Sequence, residues 1–246
     1  IFRGYQWIME VPQHYKARGT DKCVRAIAPR APLLENSTQD THWRIPMRLF
    51  SITLGTWEEA CLKGKDRGET RICKNIDNVG LLEGRTVDIY GADRCRKAIK
   101  EFESDVPGLL WTFDNHDDLR HLSDVCRMAV LYKHGGYYFD ADQLSVRPFH
   151  DLIEHHTTFI TVENNADFSR IMNSFIGSVP KHPVLLRAMK IMVAVKKKDR
   201  TDCVFDGTCA IALALNEEYA QKGKPLTHTE LAANNVQMLK EIKMPK

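Results

Sequence analysis

An α/β sandwich is the fold class this sequence predicts, and three observations carry it. Short apolar runs bounded by Gly or Pro recur along the chain, stretches of helical period fall between them, and no internal repeat interrupts the alternation. Hydrophobic residues make up 43% and charged residues 27% of the 246, the proportions of a globular chain with a core of ordinary size.

Residues 1–44 stand apart. They mix Arg, Lys, Pro and polar residues without a sustained period, and read as a stem, a linker or a loosely packed extension. Residues 45–246 read as one catalytic-sized domain. Within it, residues 47–54 (MRLFSITL) form a buried strand ending at Gly55, and residues 86–90 (TVDIY) form another. Gly91-Ala92-Asp93 supplies a turn and cap for a helix over 94–103, and Pro107-Gly108 breaks the pattern. Residues 118–133 are amphipathic, with Leu119, Leu122, Cys126, Ala129 and Val130 on one side. Gly135-Gly136 stops that helix, residues 137–141 form a short aromatic strand, and residues 157–162 (TTFITV) the next. A helix over 183–195 begins with Pro at a favoured first-turn position.

Charge excludes one class of partner. The 35 basic and 32 acidic side chains are too evenly matched, and too little clustered with aromatics, for a nucleic-acid surface. Lys196-Lys197-Lys198-Asp199-Arg200 reads as a solvated helix end. No stretch approaches the roughly 18–20 apolar residues of a membrane helix, and a chain starting at Ile1 leaves an upstream anchor or leader open. None of the seven cysteines forms a C-x-x-C pair, which argues against structural zinc. Cys61/Cys73 and Cys203/Cys209 are candidate loop-closing disulfides, with an odd thiol left over. With the acceptor sequon Asn36-Ser37-Thr38, they tilt the chain toward a secretory lumen.

The chemistry concentrates in residues 122–149, LSDVCRMAVLYKHGGYYFDADQLSVRPF. Asp140 and Asp142 follow an aromatic strand at i and i+2, a spacing that puts both carboxylates on one face. So close together they repel unless a cation or a shared proton lies between them. Mg²⁺ or Mn²⁺ fits, because it binds through one or two carboxylates and completes its shell with substrate phosphates. Asp124 and Arg127 lie three apart on one helix face, Gly135-Gly136 would let backbone approach a ligand, and Tyr138 shares the strand face of Asp140. An anion-binding Arg, a hydrogen-bonding Asp, a tight turn and a metal pair are the parts needed to hold a sugar diphosphate.

The gapless pattern S-D-x-x-R-x-x-x-L-x-x-x-G-G-x-Y-x-D-x-D, from Ser123 to Asp142, resembles the DXD-containing sugar-binding region of glycosyltransferases. That region is shared by Och1-type mannosyltransferases, α-1,4-galactosyltransferases, capsular-polysaccharide transferases and the glucosyltransferase domains of clostridial toxins. Asn173-Ser174-Phe175 with Lys181-His182-Pro183, and Asp206-Gly207, are similar to downstream segments of the family. The resemblance implies a Rossmann-like GT-A fold, a UDP- or GDP-hexose donor, Mn²⁺ or Mg²⁺, and transfer with retention. It also implies a glycan, glycolipid or protein acceptor, and Golgi residence for a eukaryotic relative or the cytoplasm for a bacterial one. Residue by residue, it places Asp124 and Arg127 on the donor sugar and diphosphate, Asp140 on ribose and metal, Asp142 on the metal, and Tyr138 and Asn173 beside the donor. The family's His-Gln pair in the first strand is absent from Ile45-Pro46-Met47-Arg48-Leu49-Phe50, and its C-terminal metal ligand has only His228 as a candidate.

Two rival functions use the same residues. A haloacid-dehalogenase-type phosphohydrolase also places D-x-D after an apolar strand, but wants Thr or Val where this chain has Leu144. A transferase-like domain that only binds is the other. Among lesser candidates, His155-His156 reads as a polar loop and His116-Asp117-Asp118 as a helix N-terminus. Trp43, Trp57 and Trp111 read as core or rim residues, Trp57 being the choice to stack on a nucleobase.

Overall fold

The structure, a computed structural model, describes residues 7–10, 44–55, 58, 61, 71–143, 145, 148–163, 168, 171–222 and 224–243. Strand β1 (Trp7–Glu10) is followed by β2 (Leu49–Ile52), helix α1 (Arg71–Glu83), β3 (Val87–Tyr90), α2 (Ala92–Lys100), α3 (Leu109–Asp114) and α4 (Leu119–His134). Then come β4 (Gly136–Phe139), a 3₁₀ turn at Phe149–Leu152, β5 (Phe159–Glu163) and β6 (Ile171–Ser178). Helices α5 (Pro183–Lys196), α6 (Gly207–Tyr219) and α7 (His228–Ala233) precede the last strand, β7 (Val236–Lys243).

The strands form one sheet in the order β1-β7-β5-β6-β4-β2-β3. β2 runs parallel to β3 and β4, β5 runs parallel to β7, and β6 is antiparallel to both β4 and β5. Consequently β2, β3, β4, β5 and β7 all end at the same edge, where open α/β sheets present their ligand sites. Side chains alternate across the sheet. Phe50, Tyr138 and Ile176 enter one core with α2 to α6, whereas Leu49, Tyr137, Phe139 and Phe175 enter a second core with α1 and the 3₁₀ turn. Cover on both faces explains why β2 (LFSI) and β4 (GYYF) are buried at every position.

Helix α4 is the element that positions the site. Asp118 caps it by accepting the Arg120 N–H at 2.9 Å, in keeping with the helix N-terminus expected at His116-Asp117-Asp118. The expected amphipathic stripe is replaced by burial at every residue from Asp124 to Tyr132, while Leu119 at the end is 48% exposed. The helix packs on α2, α5 and the sheet, so its middle keeps no solvent face. Helix α5 ends at Lys196, and Lys197 to Asp199 are exposed beyond it as a solvated helix end.

Several elements differ from the sequence expectation. Helices α1 and α6 and strands β6 and β7 lie where no element is expected. Strand β1 belongs to the segment read as an extension, yet pairs antiparallel with β7, Trp7 opposite Lys243. The rest of 1–43, with Cys23, the sequon and Trp43, lies outside the described residues, as does Trp57. Both expected disulfides, Cys61–Cys73 and Cys203–Cys209, are present, and Cys95–Cys126 joins α2 to α4 as a third.

Candidate active site

The strand-end geometry expected for Asp140 and Asp142 is corrected by the structure. Strand β4 stops at Phe139, and residues 140–143 make a turn closed by the Gln143 N–H on the Asp140 carbonyl at 3.0 Å. The Asp140 N–H is still tied to β6 through the Ser174 carbonyl at 2.8 Å. Asp140 is thus fixed at the sheet edge while Asp142 is exposed on the turn.

Beneath this turn lies a buried polar cluster built on Arg127. Its guanidinium is 3.2 Å from Asp140 Oδ1 and 3.2 Å from Asp124 Oδ1, and it lies over the Tyr138 ring at 4.3 Å. It also donates to the Asn173 carbonyl at 2.6 Å and the Ser123 hydroxyl at 3.0 Å. Asp124 in turn accepts the Asn173 side-chain amide at 2.7 Å and the Gly207 N–H at 2.8 Å. The Tyr138 hydroxyl donates to Asp140 Oδ1. A buried charge is tolerable only with partners of this number and geometry.

The cluster holds more negative than positive charge. Burial pushes the Asp140 carboxyl up to about 6; Arg127 and the Tyr138 hydroxyl pull the other way, and Asp142 and Asp124 add to the rise. Burial also raises Asp124, against the pull of Arg127, the Gly207 N–H and Asn173. For Arg127, burial opposes the charge, but Tyr138, Asp140, Asp124 and Asp142 outweigh it and the guanidinium holds its proton more tightly than usual. Among the described residues, Arg127 is the cation that Asp124 and Asp140 pair with, and Asp142 adds a third acidic group, which leaves the cluster net negative. A divalent cation on Asp140 and Asp142 fits that deficit. Among the described residues no group of three or more His, Cys, Asp or Glu is placed to hold a metal.

The structure thus brings Asp124, Arg127, Tyr138, Asp140 and Asn173 into one network, with Asp142 above it. Tyr138, expected to line the donor pocket, is 1% exposed and instead supports Asp140 from below. Gly135 and Gly136 are not brought to the site. Gly135 caps α4 and Gly136 begins β4 at the opposite edge of the sheet, roughly 13 Å of strand from Asp140 at about 3.3 Å per residue. Their φ values of 64° and 101° require glycine, and a Cβ on Gly136 would sit 2.5 Å from the Arg48 carbonyl oxygen. The backbone that approaches them closely is the protein's own, not a ligand. His228 is held by Glu163 at 3.1 Å and lies edge-on to Phe168 at 4.8 Å. His155 and His156 are exposed in a loop, and Trp111 is 47% exposed on the rim.

Two participants escaped the sequence reading. Ser123 stands in the quoted pattern without an assigned task, and Gly207 enters only as part of a downstream segment. The signal for Gly207 was Asp206, an N-cap residue directly before it, whose carboxylate accepts the Cys209 N–H at 2.6 Å.

Residues 65–160 match the family described as glycosyltransferase sugar-binding region containing DXD motif, and residues 113–229 match the capsular polysaccharide synthesis protein family. This stretch of the chain is therefore similar to a DXD-containing glycosyltransferase region. An uncharacterised glycosyltransferase of Acanthamoeba polyphaga mimivirus is 31% identical over 98 residues, 39% of this chain and 38% of that protein. The Homo sapiens alpha-1,4-N-acetylglucosaminyltransferase is 32% identical over 29% of this chain and 18% of its own length. The Saccharomyces cerevisiae mannosyl phosphorylinositol ceramide synthase is 29% identical over 38% of this chain and 23% of its own. The chain therefore spans less than two fifths of each of these relatives. The solved PaToxG glycosyltransferase shares the fold, with a TM-score of 0.55, 16% identity, and coverage of 78% of this chain and 74% of that one. The α/β sandwich expected from the sequence is the fold of a known glycosyltransferase.

Proposed function

We propose that this chain transfers a hexose from a UDP- or GDP-linked donor to a hydroxyl of a glycan, glycolipid or protein acceptor. The observation that carries this is Arg127, a buried cation held against Asp140 at the edge where the parallel strands end. Asp140 and Asp142 are the residues that would hold Mn²⁺ or Mg²⁺, which would supply Lewis-acid neutralisation of the leaving diphosphate. Arg127 adds a fixed positive charge toward the same group and costs no reorganisation when negative charge develops there. Tyr138 holds Asp140 in place from beneath, and Asn173 anchors the strand that flanks the donor. What remains is positioning of the acceptor hydroxyl against the anomeric carbon, with retention of configuration. The disulfides Cys61–Cys73, Cys95–Cys126 and Cys203–Cys209 support an oxidising compartment such as the Golgi lumen. No described helix is long and apolar enough to cross a membrane.

A second reading is a domain that binds a nucleotide sugar without transferring it. Thermal stability with UDP- and GDP-hexoses, with and without Mn²⁺, tests the donor site. A donor at about 100 times its dissociation constant adds roughly 2.7 kcal/mol. The expected result is a rise for one nucleotide class that needs Mn²⁺ and is lost in Asp142→Asn. No rise with any donor in the folded wild type would end the donor-site proposal, and donor binding without product would favour the binding domain.

A further inference from the structure

The loop that Cys203–Cys209 closes has no assigned role, yet it touches the Arg127 cluster at a single well-defined point. Gly207 opens helix α6, where the first backbone N–H groups have no partner within the helix. Its N–H is donated to Asp124 Oδ2 at 2.8 Å, while Asp124 Oδ1 takes Asn173 and Arg127. Both carboxylate oxygens are therefore filled from the protein, and Asp124 is only 6% exposed. It faces inward, toward Arg127, rather than outward toward a ligand.

Glycine at 207 is demanded by space. Its φ lies outside the left-handed region, but a Cβ there would meet the Asn173 amide nitrogen at 2.3 Å and the Asp124 Cγ at 2.8 Å. The rest of the loop is gripped from several sides. Asp206 caps α6 through the Cys209 N–H, and the Thr208 hydroxyl donates to the same Asp206 oxygen at 2.6 Å. The Phe205 ring stacks on His116 at 4.5 Å and 15° and meets His121 edge-on at 5.5 Å. His116 Nδ1 accepts the Asp118 N–H at 3.2 Å, which ties that stack to the cap of α4. His121 sits one turn before Asp124 on the same helix. The loop thus grips α4 twice, at its first turn and at Asp124.

We propose that loop 203–209 is a positioning clamp: through the Gly207 N–H on Asp124 it sets the direction of Arg127 toward the Asp140 turn, and so governs how tightly a diphosphate is held there. Gly207 is a positioning residue that acts through Asp124 and Arg127. The proposal rests on the donor site described above.

The test uses the full chain and compares UDP with UMP, and GDP with GMP, by calorimetric titration in Mn²⁺. Wild type, Gly207→Ala and the double variant Cys203→Ser/Cys209→Ser are measured alongside circular dichroism. In the wild type the diphosphate binds more tightly than the monophosphate. Gly207→Ala is expected to weaken the diphosphate about tenfold or more and the monophosphate by less than about twofold, with a smaller selective loss in the double variant. Should Gly207→Ala fail to fold, the double variant decides by the same selective loss. Equal weakening of mono- and diphosphate, or no weakening, in a folded variant overturns the clamp while leaving the donor site standing. A folded wild type that binds no nucleotide overturns the donor site, and the clamp with it.

Discussion

Strand β4 begins at Gly136, pressed against Arg48 where no side chain fits, and runs into Asp140, where charge is crowded instead. At its start the neighbouring segment 180–182 packs in, and His182 is buried there against Phe159, burial pulling its imidazole down to about 4. At its end burial pushes Asp140 up to about 6. One end meets steric demand and keeps a titratable group neutral. The other supplies a buried cation so that acidic groups can stay together. A single strand serves both because it spans the sheet from its packed edge to the edge where Asp140 lies.

The largest effect should come from breaking the charged end. Arg127→Met leaves the buried Asp124 and the half-buried Asp140 without their cation, and breaking a buried pair costs about 3–5 kcal/mol. Urea unfolding should show that loss; a change below about 1 kcal/mol would mean Arg127 does not hold the cluster. Next comes the packed end. Gly136→Ala forces a Cβ to within 2.5 Å of the Arg48 carbonyl at a φ of 101°, and should cost about 2 kcal/mol, or roughly 5 °C in Tm. Its donor affinity at 25 °C should match wild type, since this glycine lies away from the site. A Gly136→Ala protein that is stable but loses donor would restore the ligand-approach role expected from sequence.

Acid separates the two ends more gently. Asp140 has a raised pKa, so its contribution to stability is complete below its ordinary 3.8 and is lost as pH rises through 6. His182 has a lowered pKa, so its contribution is complete above 6.5 and is lost as pH falls toward 4. Between pH 4 and 6 the two oppose each other. Asp140→Asn removes one side, so its Tm should fall more between pH 7 and pH 5 than that of the metal-free wild type; parallel curves would refute the offset. In the wild type, Mn²⁺ must displace the Asp140 proton, and its affinity should gain up to about tenfold per pH unit below 6. The smallest effect marks neutral ground between the ends. Trp111→Ser, on the exposed rim of α3, should alter stability by less than about 0.5 kcal/mol in the same urea experiment.

Much of the site was legible because local spacing carries it. Asp124 and Arg127 at i and i+3 on a helix, and Tyr138 two before Asp140, needed only the periods of 3.6 and 2. What was not legible depends on partners distant in sequence. Gly135-Gly136 looks the same whether a ligand or a carbonyl oxygen presses on it. Helix α6 (GTCAIALALNEEY) buries Gly207, Ala210, Ile211, Ala212, Ala214 and Leu215, too broad a band to show a helical stripe. Cys95–Cys126 links residues 31 apart on two separate helices, a spacing that no loop-closing argument selects. The sequence places residues 140–141 in the strand because nothing local marks that the ladder ends at Phe139.

The pairing of β1 with β7 has a consequence for how this protein is made. Trp7 to Glu10 find their partners at Lys240 to Lys243, so this edge of the sheet can be zipped only once residues 240–243 have left the ribosome. Until then the nascent sheet presents β5 as a bare edge, because β7 is also its neighbour. A truncation ahead of Val236 would accordingly remove two strands rather than one, releasing β1 from the far end of the chain.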